Sequence, residues 1–264
     1  MTSSSFRQAL LQRRVTIGTW LQINNPTAAE VLANVGYEWI AIDIEHTDID
    51  IVSLTALLRG MYGRGAAPIA RVSTNDVIEI RRALDVGAAG VLVPFVSTAD
   101  QARRAVAAAR YPPSGVRGFS FCRANNWGTD FSSEAQSAND DVAVVIMIES
   151  KEGVENIEDI VNVDGLDAVF IGPYDLSGSY GIPGQIQAPV VRDACHTVID
   201  ACQRKHKSVG LLVVRPTPEA IRQALDDGFT LICVGIDTVF LDEGARATRA
   251  LALSALQELS ARNG

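Results

Sequence analysis

Glu149, at the end of VAVVIMIES, and Asp175, in DAVFIGPYD, form an oxygen-donor pair suited to a hard divalent cation. Mg²⁺ and Mn²⁺ match two carboxylates with the remaining positions open to water or substrate, and Co²⁺, Ni²⁺ and Zn²⁺ are also compatible. Arg71, closing APIAR, would add a fixed cation able to hold a carboxylate or meet charge developing on an enolate oxygen. His46 lies in WIAIDIEHTDID among Asp43, Glu45, Asp48 and Asp50. It alone of the three histidines follows an apolar run, which makes it the candidate general acid/base. Trp20 and Gln22 close the first apolar run, with Trp20 a candidate substrate contact, and Gly235 and Asp237 close the last. Each has a plainer reading. An Asp or Glu in such a place often caps the next helix, and an Arg is as readily a structural ion pair. Asp85 in RRALDVGAAG reads as helix surface, and GPYDLSGSYGIPG as a turn series or a weak anion-binding nest.

These residues act together only if the chain brings them to one rim. VTIGTWLQ, WIAIDIE, APIARVS, GVLVPFV, VAVVIMIES, DAVFIGP, SVGLLVV and LICVGID are nearly continuous aliphatic runs, as expected of strands buried on both faces. Amphipathic segments alternate with them, several carrying helix signals such as the early Pro26 and the stop at Gly36. About eight strand–helix units of roughly thirty residues predict an α/β fold, a (β/α)8 TIM barrel, with chemistry at the C-terminal ends of the strands. An open doubly wound sheet is the rival, but no GxGxxG follows the first strand. Residues 1–264 read as one domain, with a long irregular stretch from about Tyr111 to Asp141 and a terminal helix from about Asp242 to Ala261.

The formal charge of −8 gives no footing for nucleic acid or an anionic membrane, while leaving room for an anionic substrate in a local field. MTSSSFRQALLQRR lacks the apolar stretch of a secretory signal, and no run approaches a membrane span. Cys122, Cys195, Cys202 and Cys233 show no metal-type spacing, so a reduced, cytoplasmic setting is expected and any metal must be held by oxygen or imidazole. No lysine ends a predicted strand, which argues against a Schiff-base route.

The strings DIEH, ARVSTND, RRALDVGAAGVLVPFV, ARYPPSGVRG, IESKEGVENIEDI, GLDAVFIGPYDLSGSYGIPG and GFTLICVGIDTVFL resemble, in order, the signature segments of the class II pyruvate aldolases typified by 2,4-dihydroxyhept-2-ene-1,7-dioate aldolase. The resemblance runs from about Gly18 to Leu241. It implies reversible cleavage of a 4-hydroxy-2-oxo acid to pyruvate and an aldehyde, in a barrel whose last helix is exchanged between subunits of a homohexamer, a trimer of dimers. It implies a divalent cation on Glu149 and Asp175, enolate stabilisation by Arg71, and a His46–Asp85 pair handling the proton. It further implies Asp43 near the site of an adjacent subunit, amides around Gly172, Pro173 and Tyr174 holding the pyruvate carboxylate, and Arg123 as a substrate contact. The sequence departs from the pattern at Met147, where the type enzyme has Gln, and at Tyr174, where a small residue is usual. The alternatives are an oxaloacetate decarboxylase or acyl-CoA lyase-like enzyme using the same enolate, or a barrel that binds without turnover.

Overall fold

The computed structural model describes residues 3–263. Eight parallel strands close into a barrel: β1 (Thr16–Leu21), β2 (Trp39–Asp43), β3 (Ala67–Arg71), β4 (Gly90–Val93), β5 (Ala143–Ile148), β6 (Ala168–Ile171), β7 (Ser208–Val213) and β8 (Leu231–Ile236). Every neighbouring pair is parallel and β8 returns to β1, so the predicted TIM barrel is the observed one. The helices are α1 (Ser3–Leu11), α2 (Pro26–Val35), α3 (Ile51–Met61), α4 (Val77–Asp85), α5 (Ala99–Ala109), α6 (Phe131–Asp141), α7 (Lys151–Glu155), α8 (Ile157–Val161), α9 (Pro173–Ser179), α10 (Pro189–Arg204), α11 (Pro218–Asp226) and α12 (Asp237–Asn263).

Strand β5 shows why the runs are apolar without alternation. Ala143, Val145 and Met147 fill the barrel interior, while Val144, Ile146 and Ile148 pack against the helices. The interior is closed by large side chains, among them Trp20, Trp39, Phe170 and Leu92. Gly18 is required there, because a Cβ would fall 2.2 Å from the Trp39 ring. Helix α1 seals the N-terminal end. Phe6 lies 6.2 Å from Trp39, Leu10 is fully buried, and Arg7 donates to Asp167 at 2.9 Å and to the carbonyls of Asn139 and Asp140. With that end plugged, a ligand reaches the interior only from the C-terminal rim.

Several helices that leave this rim begin on side-chain caps, three of which lie next to the site. Asp50 accepts from Ser53 N–H, Asp76 from Ile78 and Glu79 N–H, and Thr98 forms a capping box with Gln101. Asp50, one member of the acidic cluster, is therefore a cap.

The stretch from Tyr111 to Asp141 is not irregular throughout. It contains a 3-10 segment (Arg123–Gly128) and α6, whose one buried residue is Ala138, so no apolar stripe marks it in the sequence. It stays at the N-terminal side of the barrel, where Tyr111 N–H donates to Asn139 at 2.7 Å and Arg123 to the Val86 carbonyl at 2.7 Å. The last helix starts at Asp237 rather than Asp242, because β8 runs directly into it. Among the described residues no helix is long and apolar enough to cross a membrane.

Candidate active site

The period-two phase of the strands decides which polar residues face the mouth. Asp43 follows Trp39 and Ala41 on the inner face of β2, and Arg71 follows Ala67 and Ile69 on that of β3; the two are register partners. Glu149 comes two residues after the inward Met147, and Gln22 two after the inward Trp20.

Arg71 is the hub. Its Nη2 lies 2.5 Å from Glu45 Oε2 and 3.6 Å from Glu149 Oε1, its Nη1 lies 3.7 Å from Asp43 Oδ2, and its Cζ sits 5.5 Å from the Trp20 ring centre. A guanidinium so buried is tolerable only because three carboxylates surround it. Asp43 fixes the surrounding backbone. Its Oδ1 accepts from the Glu45 and His46 N–H groups, each at 3.2 Å, and its Oδ2 from Trp20 Nε1 and Gln22 Nε2, each at 3.1 Å. Asp43→Asn presents an amide to four donors that need acceptors, so a stability loss of about 1–3 kcal/mol is expected by urea unfolding, with a lower kcat as Arg71 and His46 lose their frame.

Glu149 is buried. Its Oε2 accepts from Phe95 N–H at 2.9 Å, but Oε1 accepts no hydrogen bond. Burial pushes its pKa up to about 7; the Phe95 amide and Arg71 pull the other way, and the charges of Asp175 and Glu45 push it further. Glu45 is raised for the same leading reason, with Arg71 opposing and Asp43 and Asp175 adding. Asp175, in the first turn of α9, is itself exposed and repels both. Gly172 is a glycine because a Cβ would sit 2.8 Å from Glu149 Oε1.

This corner fits a divalent cation. A buried acceptor has no donor, and a second carboxylate stands close enough to oppose its ionisation. Among the described residues no group of three His, Cys, Asp or Glu forms a ligand cage, so the pair Glu149 and Asp175 would leave positions open.

Several expected residues are placed differently. Trp20 is 3% exposed and serves Asp43 and Arg71 as a platform, not as an open substrate contact. Within one chain Asp43 lies at the mouth of its own barrel, accepting from Trp20 and Gln22. The Gly172 N–H is committed to the Ile148 carbonyl at 3.1 Å and Pro173 has no N–H, leaving Tyr174 N–H as the donor of that trio. Exposed His46 stands on the rim, with Nε2 3.8 Å from Glu45 Oε2. Asp85 does not join it within one chain. It ends α4 at the opposite end of the barrel, where Arg117 Nη2 donates to it at 2.9 Å, and Arg123 lies on that same side. The Phe95 amide is a site group that sequence reading did not single out, and Glu45 enters there only as a member of the acidic cluster, with no role. The inward phase of β2 extended past Asp43 points to Glu45, while nothing in a side chain announces a backbone donor. Phe95 takes φ +51, uncommon for a residue other than glycine.

A family model described as HpcH/HpaI aldolase/citrate lyase matches residues 16–242. A 4-hydroxy-2-oxo-heptane-1,7-dioate aldolase from Salmonella dublin is 38% identical over 250 residues, covering 94% of each chain. The solved structure of an HpcH/HpaI aldolase/citrate lyase family protein from Burkholderia cenocepacia J2315 superposes with a TM-score of 0.88 at 35% identity, covering 97% of this chain and 99% of that one. The citrate synthase SbnG superposes with a TM-score of 0.84 at 29% identity over 94% of this chain and 97% of its own. A model match across most of the barrel and this identity over nearly the whole length place the chain in the HpcH/HpaI aldolase/citrate lyase family.

Proposed function

We propose that the protein is a divalent-metal-dependent carbon–carbon lyase that cleaves a 4-hydroxy-2-oxo acid reversibly to pyruvate and an aldehyde. The observation that carries this reading is the donorless, buried Oε1 of Glu149 beside the Arg71 guanidinium, one strand away from Asp175. The near-full-length aldolase relative supports it. Glu149 and Asp175 would hold the cation, with Mg²⁺ or Mn²⁺ the best match, and it would supply Lewis acidity toward the 2-oxo oxygen and carboxylate of the substrate.

The chain's own groups do the rest. Arg71 donates to the 2-oxo oxygen as negative charge builds there, and its position is preset by Asp43, Glu45 and Trp20, so little reorganisation accompanies the reaction. Tyr174 N–H would receive the carboxylate. His46 takes the 4-hydroxyl proton as the C3–C4 bond breaks, directly or through a water. The bond electrons pass into the pyruvate enolate, which is then protonated at C3. The expected His46–Asp85 pairing requires a second subunit to supply the aspartate.

Dialysis against EDTA is expected to remove activity, and Mg²⁺ or Mn²⁺ to restore it; full activity of the metal-free protein refutes the assignment. His46→Ala is expected to lower kcat about 10²-fold, a smaller effect than at the metal corner because water can stand in for the imidazole.

A second reading is supported by the citrate synthase relative and by buried, apolar Met147 beside the site: the same enolate arising by decarboxylation of oxaloacetate or serving an acyl-CoA partner. Assaying oxaloacetate against a panel of 4-hydroxy-2-oxo acids separates the two. We also propose a homo-oligomer, a hexamer of exchanged terminal helices. The Leu251, Leu256 and Leu259 side chains of α12, 73%, 60% and 56% exposed in one chain, support it. The four free cysteines suit a cytoplasmic setting.

A further inference from the structure

Glu149 stands between two exposed aromatic residues carried by the flanking strands. Phe95 follows β4 and Tyr174 follows β6, on either side of β5. Both are tied closely to the carboxylate. Phe95 N–H donates to Glu149 Oε2 at 2.9 Å, and Tyr174 lies two residues past Gly172, on whose α-carbon Glu149 packs. Yet Phe95 and Tyr174 leave 50% and 55% of their surface to solvent. Phe95 also holds a left-handed φ of +51, a conformation that accumulates at functional sites.

The charge around this rim is as informative as its apolarity. Among the described residues, the segments leaving the strand ends carry three cationic side chains, Arg71, Lys151 and Arg215. Each already lies against a carboxylate of the same chain: Arg71 with Glu45 at 2.5 Å, Lys151 with Glu155 at 3.6 Å and Arg215 with Glu243 at 2.8 Å. Asp43, Glu45, Glu149 and Asp175 make the mouth acidic. With the cation on Glu149 and Asp175, Asp43 and Glu45 remain against the one charge of Arg71, so within one chain an aldehyde bearing its own carboxylate would meet net like charge, whereas an apolar substituent finds two half-bare rings.

We propose that the aldehyde half of the substrate carries an uncharged apolar group, preferably aromatic, seated at the rim made by Phe95 and Tyr174. This rests on the aldolase reading and departs from the dioate named for the Salmonella relative, whose distal half ends in a carboxylate. In the synthetic direction C3 of the pyruvate enolate bonds to the aldehyde carbon, the carbonyl π electrons move to oxygen, and that oxygen takes a proton. The rings act on the substituent attached to the aldehyde carbon and take no part in bond making. They are specificity determinants.

The experiment compares kcat/KM for addition of pyruvate to phenylacetaldehyde and to 4-oxobutanoate, using the full chain with Mn²⁺. Exchange of the pyruvate methyl protons with D2O, without aldehyde, is followed in parallel. The expected result is at least a tenfold preference for phenylacetaldehyde, falling about tenfold in Phe95→Ala and in Tyr174→Ala, mostly through the aldehyde KM. Taking the ratio within each variant cancels any loss in the shared pyruvate step. Wild-type exchange together with a preference for 4-oxobutanoate, or a ratio unmoved in both variants, overturns the rim assignment alone. Absence of exchange overturns the aldolase reading and this assignment with it.

Discussion

Glu149→Gln is expected to abolish Mn²⁺ binding and aldol turnover together, while making the metal-free protein more stable than the parent at pH 8. The two effects share one cause. Oε1 accepts no hydrogen bond, so an amide there breaks none, but it removes the anionic oxygen a cation needs. In the parent, burial raises the carboxyl from its ordinary 4.5 to about 7. The folded state then holds more protons than the unfolded state between these values, so stability falls as pH rises through that window and stays low above it. A displacement of that size corresponds to on the order of 3 kcal/mol at pH 8, and to almost nothing below pH 4.5. Thermal unfolding in EDTA at pH 4.5 and 8, with isothermal titration of Mn²⁺ at pH 8, checks both halves. A glutamine variant that binds Mn²⁺ as tightly as the parent refutes the ligand assignment. A stability difference that does not grow with pH refutes the account of the buried charge.

Burial on both strand faces also decides what was legible in the sequence. A strand buried on both faces leaves only the parity of its positions to distinguish inside from outside, and parity survives past the last apolar residue. From Trp39 it reaches Asp43 and Glu45, from Ala67 it reaches Arg71, and from Ala143 it reaches Glu149. The barrel and its polar hub were therefore readable. Roles set by hydrogen bonds were not. Asp237 looks like one more rim carboxylate, yet its oxygens accept from Gln22, Ile23 and Thr238 N–H, binding the end of β1 to the start of α12. Asp43 likewise looks like one more rim carboxylate until its four donors within the chain are counted. Motif likeness assigns a residue its company without saying which subunit supplies it. For Asp85 the plain reading as helix surface agrees with its place at the end of α4 within one chain. The polar helix α6 and the plug α1 escaped for want of a long apolar stripe.

Arg71→Ala should be the most damaging single change at the mouth, in fold and function alike. The guanidinium is 7% exposed and is the one cation among Asp43, Glu45 and Glu149. Removing one partner of a buried charge cluster typically costs 3–5 kcal/mol, because the charges left behind lose both water and counter-ion. Arg71 opposes the raised pKa of Glu45 and of Glu149, so both carboxyls should rise further without it, and the destabilisation should grow with pH. Turnover should fall at least 10³-fold, since the donor facing the developing oxyanion is lost while the cation site, if still loaded, remains. Arg71→Lys separates the two consequences. An ammonium restores a positive charge and part of the stability, but a compact point charge cannot reach three carboxylates and lie over Trp20 at once, so kcat should stay well below the parent. Urea unfolding at pH 6 and 8 and steady-state assays with saturating Mn²⁺ read these effects. A lysine variant with full kcat would mean that net charge alone, not the forked geometry of the arginine, stabilises the enolate.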